Sequence, residues 1–173
     1  MIKLSLIVLL IAFICHYNTN TYVLYVCPYE DEYLYNYYHN YKTSHNGDSG
    51  IDIVIPYNGT LLPKTYTKIN HNVSFVLTKI NNIYKSYSYY LYARSSLSTI
   101  PLIMPNGVGI IDAGFRGNLS TIIYNPTDYN ITFTKGDKFL QICSNDLSEI
   151  IVKIKCDMSD YGTRYGNGFG STS

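Results

Sequence analysis

Residues Asn106 to Ser120 read NGVGIIDAGFRGNLS. The stretch opens on Asn106-Gly107, a dipeptide favoured in type I′ turns because both central residues there need positive φ. A short apolar run, Val108 to Ile111, follows and is interrupted by Gly109. Glycine inside a strand pattern signals a bulge or the close approach of another group. A single carboxylate, Asp112, comes next, then Ala113-Gly114, the aromatic Phe115, the cation Arg116 and Gly117. The local reading is a β-hairpin beside a lone acid on tight backbone. Two interpretations are open at this level: a surface hairpin with a solvated Asp, or an acid presented beside a binding pocket.

Working outward, the flanking chain is punctuated as β-structure. Thr21–Cys27 is rich in β-branched and aromatic residues and stops at Pro28; Ile51–Ile55 alternates and stops at Pro56. Strands are expected between Ile69 and Tyr92, broken at Asn81-Asn82, and then over Leu119–Tyr124, Tyr129–Thr134 and Lys138–Cys143. Asn125-Pro126-Thr127-Asp128 and Lys135-Gly136-Asp137 supply turns between them. Short strands at even spacing predict an all-β fold, a barrel or distorted jelly roll. The one helical pattern is Glu30–Tyr41, with Tyr33, Tyr37 and Tyr41 on one face; it reads as a packed connector.

The chain has 173 residues, enough for one domain with a core, and a net charge of +1, which offers no basic patch for nucleic acid. Its four cysteines, Cys15, Cys27, Cys143 and Cys156, form no Cys-x-x-Cys pair, so buried free thiols are expected rather than a zinc site or a disulfide framework. Leu4–Cys15 is an apolar run behind Lys3, too short to span a bilayer but the length of a signal-peptide core. Residues 1–20 are therefore set apart as a hydrophobic leader, and membrane contact is expected only through it. Residues 21–156 form the β domain. Residues 157–173 lack an apolar period, are rich in glycine, and read as a flexible arm.

With these pieces in place, NGVGIIDAGFRGN resembles the third motif of the trimeric dUTPases, enzymes that split dUTP into dUMP and pyrophosphate. Four further stretches resemble the family's other motifs, in order. Ser49-Gly50-Ile51-Asp52-Ile53 is similar to the first, and Ala93-Arg94-Ser95-Ser96-Leu97 to the second. Gly136-Asp137-Lys138-Phe139-Leu140-Gln141 is similar to the fourth, with Lys138 where Arg is usual. Arg164-Tyr165-Gly166-Asn167-Gly168-Phe169-Gly170-Ser171-Thr172 is similar to the fifth, with Tyr165 and Asn167 at usual glycine places. In the third motif Gly114 replaces a common Asp, and Phe115 replaces the usual Tyr.

The resemblance implies a dUTPase-type β fold and dUTP hydrolysis, an activity that keeps uracil out of DNA and supplies dUMP for thymidylate synthesis. It implies that Asp112 activates the attacking water. Arg94, Ser95, Ser96, Gln141, Arg164, Gly170, Ser171 and Thr172 would hold the phosphates. Asn106, Gly109 and Ile110 would receive uracil, Phe115 would pack on deoxyribose, and Phe169 would cover the base. It further implies Mg²⁺ across the phosphates, reached by Asp52 through water, and a homotrimer with shared sites. Such a protein is expected inside the cell, where its substrate is made, while the signal-like leader leaves secretory targeting open. The related dCTP deaminases carry a second Arg after the Arg-Ser-Ser-Leu pattern and a Glu beyond the Asp. Thr99 and Ile122 stand at those places here, which disfavours deamination. A non-catalytic interaction protein on the same scaffold is opposed by the retained Asp112 and phosphate-gripping tail.

Overall fold

The computed structural model describes residues 21–45 and 47–161. The leader, residues 1–20, and the fifth motif, including Arg164, Phe169, Gly170, Ser171 and Thr172, lie outside them. β1 (Tyr22–Cys27) is followed by helix α1 (Glu32–His39), then β2 (Gly50–Ile53), β3 (Gly59–Leu61), β4 (Thr65–Asn70), β5 (Ser74–Lys79) and β6 (Asn82–Tyr87). β7 (Tyr89–Ala93) runs into a 3-10 turn at Ser95–Thr99. β8 (Gly109–Ile111), β9 (Ser120–Asn125), β10 (Ile131–Phe133), β11 (Leu140–Cys143) and β12 (Ile150–Ile154) complete the strands, and a short 3-10 turn spans Ser159–Tyr161. The expected all-β class is observed, with α1 as its one α-helix among the described residues.

Among the described residues the strands form four sheets, ordered β12-β1-β5-β6, β2-β11-β7-β8, β4-β9 and β10-β3. The pairings are antiparallel except β1 with β12, where Val26 lies opposite Ile154. Period-2 alternation sends Ile51 and Ile53 inward, fully buried, while Asp52 turns to the outer face. Strand β5 is buried on both faces: Phe75 and Leu77 join the main core, while Val76 packs with Cys27, Met158 and Tyr161. Met158 and Tyr161 thus lie on the packed body, although the sequence places residues from 157 onward with the arm. Cys27 and Cys143 are buried free thiols, whereas the free Cys156 is exposed rather than buried as the sequence suggests.

Helix α1 starts where Asp31 caps it, its Oδ1 accepting from the Leu34 amide at 3.0 Å. Glu32 at the first turn and His39 at the last suit the helix dipole. Leu34 and Tyr38 are buried, and the tyrosine face expected from the sequence packs inward.

The Asn106-Gly107 hairpin requires correction. Gly107 has φ 63, but Asn106 is not among the described residues with positive φ, so the turn is not type I′. The Gly107 amide donates to Met104 O at 3.0 Å, closing a turn with Pro105 and Asn106 at its centre. Nor does this turn join two paired strands: Ile103 bridges to Tyr124, whereas β8 pairs with β7. Proline's fixed φ at the second turn position sets this geometry.

Candidate functional site

The β2-β11-β7 register places Asp52 opposite Gln141, and Gln141 opposite Tyr92. All three therefore share the outer face of one sheet. Gly50 lets the Gln141 side chain lie against β2, because a Cβ on Gly50 would collide with the Gln141 amide. One residue beyond β7, the Arg94 amide donates to Phe139 O at 2.9 Å. Arg94 Nε meets Asp52 Oδ1 at 2.6 Å, and Lys138 Nζ meets Asp52 Oδ2 at 3.5 Å. Arg94 Nη1 also donates to Lys138 O at 3.3 Å and to Ser96 Oγ at 3.5 Å.

Two cations against one carboxylate leave this cluster with a formal charge of +1. Its side chains are only 17 to 34 % exposed, so water screens the surplus charge less than on open surface. A groove of about 330 Å³ opens beside it, lined by Arg94, Ser96, Thr132, Gly136 and Lys138 among others. In the 3-10 turn, Ser98 and Thr99 donate their hydroxyls back to Ser95 O at 2.6 Å and Ser96 O at 2.8 Å. That holds the turn with Ser95 and Ser96 exposed. Chemically the groove suits a polyanion.

The third-motif region builds a different cavity. A Cβ on Gly109 would stand 3.0 Å from Leu91 Cβ, so the bare backbone of β8 lies close against β7. Beside it is a cavity of about 480 Å³, walled by Tyr66, Met104, Asn106, Gly109, Ile110 and Thr121 among others. Among the described residues β8 is the last strand of its sheet, and one of its backbone edges has no strand partner there. After β8 the chain turns tightly, with the Phe115 amide donating to Asp112 O at 3.0 Å, and Asp112 is exposed. Arg116 folds inward and is buried. Its Nη1 donates to Ala113 O at 2.8 Å and Phe115 O at 2.6 Å, and its Nη2 donates to Tyr161 O. Burial pulls the Arg116 pKa down from its ordinary value.

The structure thus gathers Asp52, Arg94, Ser95, Ser96 and Gln141 at one place, and Asn106, Gly109 and Ile110 at another. The two cavities share no lining residue, and Asp112 and Phe115 line neither. Three contributors do not stand out in the sequence. Lys138 reads there only as a conservative replacement, Arg116 only as a neighbouring cation, and the tyrosines of α1 only as packing. Their partners are distant in the chain, and no local pattern signals them.

No cluster of three or more His, Cys, Asp or Glu side chains exists among the described residues. Both Asp52 oxygens face cations. Two cations on one carboxylate oppose direct ligation of a divalent ion by Asp52.

A family model described as dUTPase matches residues 36–173. Deoxyuridine 5'-triphosphate nucleotidohydrolase of Paramecium bursaria Chlorella virus 1 is 36% identical over 64 residues, covering 37% of this chain and 45% of the relative. The Thermobifida fusca enzyme of the same name is 26% identical over 133 residues, covering 76% of this chain and 70% of the relative. The chain therefore spans less than half of the viral relative's length and about two thirds of the bacterial one's. Among solved structures, native EIAV dUTPase is similar over 59% of this chain and 78% of its own, with a TM-score of 0.47 and 26% identity. A dUTPase from phage phi11 of S. aureus, described as coordinating a structural Mg(II) ion, gives a TM-score of 0.49 at 23% identity and covers 59% of this chain and 79% of its own. Among the described residues no helix is long and apolar enough to cross a membrane.

Proposed function

Since this chain belongs to the dUTPase family, we propose that it hydrolyses dUTP to dUMP and pyrophosphate by in-line attack of water on the α-phosphorus. The observation that carries this reading is the positive Asp52–Arg94–Lys138 cluster beside a groove walled by Ser96. Arg94, Ser95, Ser96 and Gln141 hold the triphosphate, and the guanidinium supplies charge-assisted donors. Arg164, Gly170, Ser171 and Thr172 of the arm complete the grip, and Phe169 covers the base. The open backbone edge of β8 reads uracil, whose ring edge alternates acceptor, donor, acceptor. Asn106, Gly109 and Ile110 keep that pocket narrow against a larger base, and Phe115 packs on deoxyribose. Asp112 orients the water and takes its proton. A carboxylate is a weak base, so most of the acceleration comes from positioning and from neutralising phosphate charge. Bound Mg²⁺ would add charge neutralisation across the phosphates, with Asp52 holding one of its waters.

The assembly we propose is a homotrimer in which one subunit supplies the Arg94 groove, a second the β8 pocket with Asp112, and a third the arm. Two cavities without a common wall residue support this: a single ligand needs both, and a threefold ring can bring them together.

The reading is tested by incubating the protein with dUTP and with dCTP and assaying pyrophosphate and ammonia. Pyrophosphate from dUTP is expected. Asp112→Asn should abolish turnover while nucleotide still binds, because the amide keeps the shape but cannot accept a proton. A variant that keeps most of its turnover would remove Asp112 from the role of base, and ammonia from dCTP would move the protein to the deaminases.

A further inference from the structure

Among the described residues strand β2 is the outer strand of its sheet, and phenols rather than another strand cover its open side. The Ile55 amide donates to Asp137 O at 2.9 Å, so the odd-numbered residues of this segment direct their backbone groups toward the β11 side. The even-numbered ones point away from it. There the Asp52 amide donates to Tyr41 Oη at 3.0 Å, and Tyr38 Oη lies 3.5 Å from both Asp52 O and the Val54 amide. Both backbone groups of the one carboxylate in the cationic cluster are thus engaged by side chains of α1 and the residues just after it. The neighbouring Tyr37 places its ring 5.3 Å from Lys138 Nζ, the second cation on Asp52.

Tyr38 is 1% exposed, and its ring packs edge-on against Phe75 at 5.6 Å. The phenols are therefore seated on the core rather than waving in solvent. Burial also raises the pKa of Tyr38 and Tyr41, which keeps both hydroxyls protonated.

We propose that Tyr41 and Tyr38 are positioning residues for phosphate binding, fixing the Asp52 backbone so that its carboxylate presents Arg94 and Lys138 to the triphosphate. The inference rests on the dUTP reading above. It goes beyond it by assigning a role to a helix face that lies outside the five motifs. A purely sealing role would affect the whole fold evenly. A positioning role weakens the hold on phosphates and leaves the nucleoside pocket at β8 unchanged.

The experiment compares Tyr41→Phe and Tyr38→Phe, which remove only a hydroxyl, in an Asp112→Asn background that binds without turnover. Dissociation constants are measured for dUTP and for deoxyuridine, with thermal melting alongside. Displacement of the Asp52 carboxylate in Tyr41→Phe is expected to weaken dUTP binding roughly fivefold, with deoxyuridine unchanged. Combining Tyr41→Phe with Asp52→Asn should cost no more than Asp52→Asn alone, since both act through one carboxylate. Equal weakening of both ligands, unchanged dUTP binding, or full additivity with Asp52→Asn would overturn the inference. If the protein with all its tyrosines binds no dUTP but does bind inorganic tripolyphosphate, the substrate reading fails instead. The same variants are then compared on tripolyphosphate, where the same weakening is expected and its absence overturns the inference.

Discussion

At the scale of single residues, His71 is a titrating group placed where it cannot easily charge. It is buried between Val54 O, 3.3 Å from Nδ1, and Thr121 Oγ1, 3.0 Å from Nε2. Burial lowers its pKa from 6.5 to about 4. As pH falls below 6.5 the unfolded chain takes up a proton that the folded one refuses until about pH 4. Stability present above pH 6.5 is therefore lost through that window, by about 3 kcal/mol in all. Melting temperature measured from pH 7 to pH 4 should fall, and His71→Gln should flatten the slope; an identical slope in the variant would discharge His71 of this role. Legibility differs sharply from residue to residue. Asp52, Arg94 and Gln141 are marked as candidates by their motifs. Their mutual geometry is not, because Arg94 and Lys138 reach Asp52 only through the β2-β11-β7 register. Asn106-Gly107 misleads because its dipeptide signal is local, while Pro105 and the pairing of β8 with β7 decide the turn.

At the scale of elements, the Gln141 side chain of β11 lies where a side chain on Gly50 of β2 would stand. A Cβ on Gly50 would strike the far end of Gln141, a flexible amide, and not backbone. Gly50→Ala should therefore cost little stability, within about 1 kcal/mol, while pushing the Gln141 amide off its place. The expected outcome is a raised KM for dUTP with a nearly unchanged denaturation midpoint. A large loss of stability with normal KM would show that the glycine serves the sheet instead. The strands and turns of this layer are readable because their alternation and their Gly and Asp turn residues are local. At Lys135-Gly136-Asp137, for example, Gly136 takes φ 101 and Asp137 Oδ2 accepts from the Thr134 amide at 2.8 Å. Helix α1 is readable in existence from its tyrosine spacing. Its contact with Asp52 is not, since nothing in that spacing says which strand the phenols will meet.

At the scale of the whole molecule, the separation of the Arg94 groove from the β8 pocket makes subunit mixing informative. Asp112→Asn and Arg164→Ala proteins should each be inactive. Co-refolded together, they should regain activity, because some mixed trimers contain a site free of both substitutions. A fully active monomer by light scattering, or no recovery in mixtures shown to exchange subunits, would defeat the shared-site assembly. The all-β class is legible in the amino-acid sequence because it is a sum of many short local signals. The division into four sheets is not, because it depends on pairings such as β1 with β12 that join the two ends of the described chain.

The tie between Arg116 and Tyr161 O, supported by Ser86 Oγ at 3.4 Å and the Tyr25 ring stacked at 5.7 Å, fixes the point from which residues 162–173 depart. From Tyr161 the chain can carry Arg164 no farther than about 10 Å and Ser171 no farther than about 35 Å. On the proposed function, groups tethered within that sphere act at an effective concentration on the order of millimolar. Protein truncated after Tyr161 should therefore lose most of its kcat/KM. A synthetic peptide of residues 162–173 should restore it only when added at roughly millimolar levels. Rescue at micromolar peptide would mean that the arm binds by its own affinity, with the anchor at Arg116 contributing nothing to the closed site.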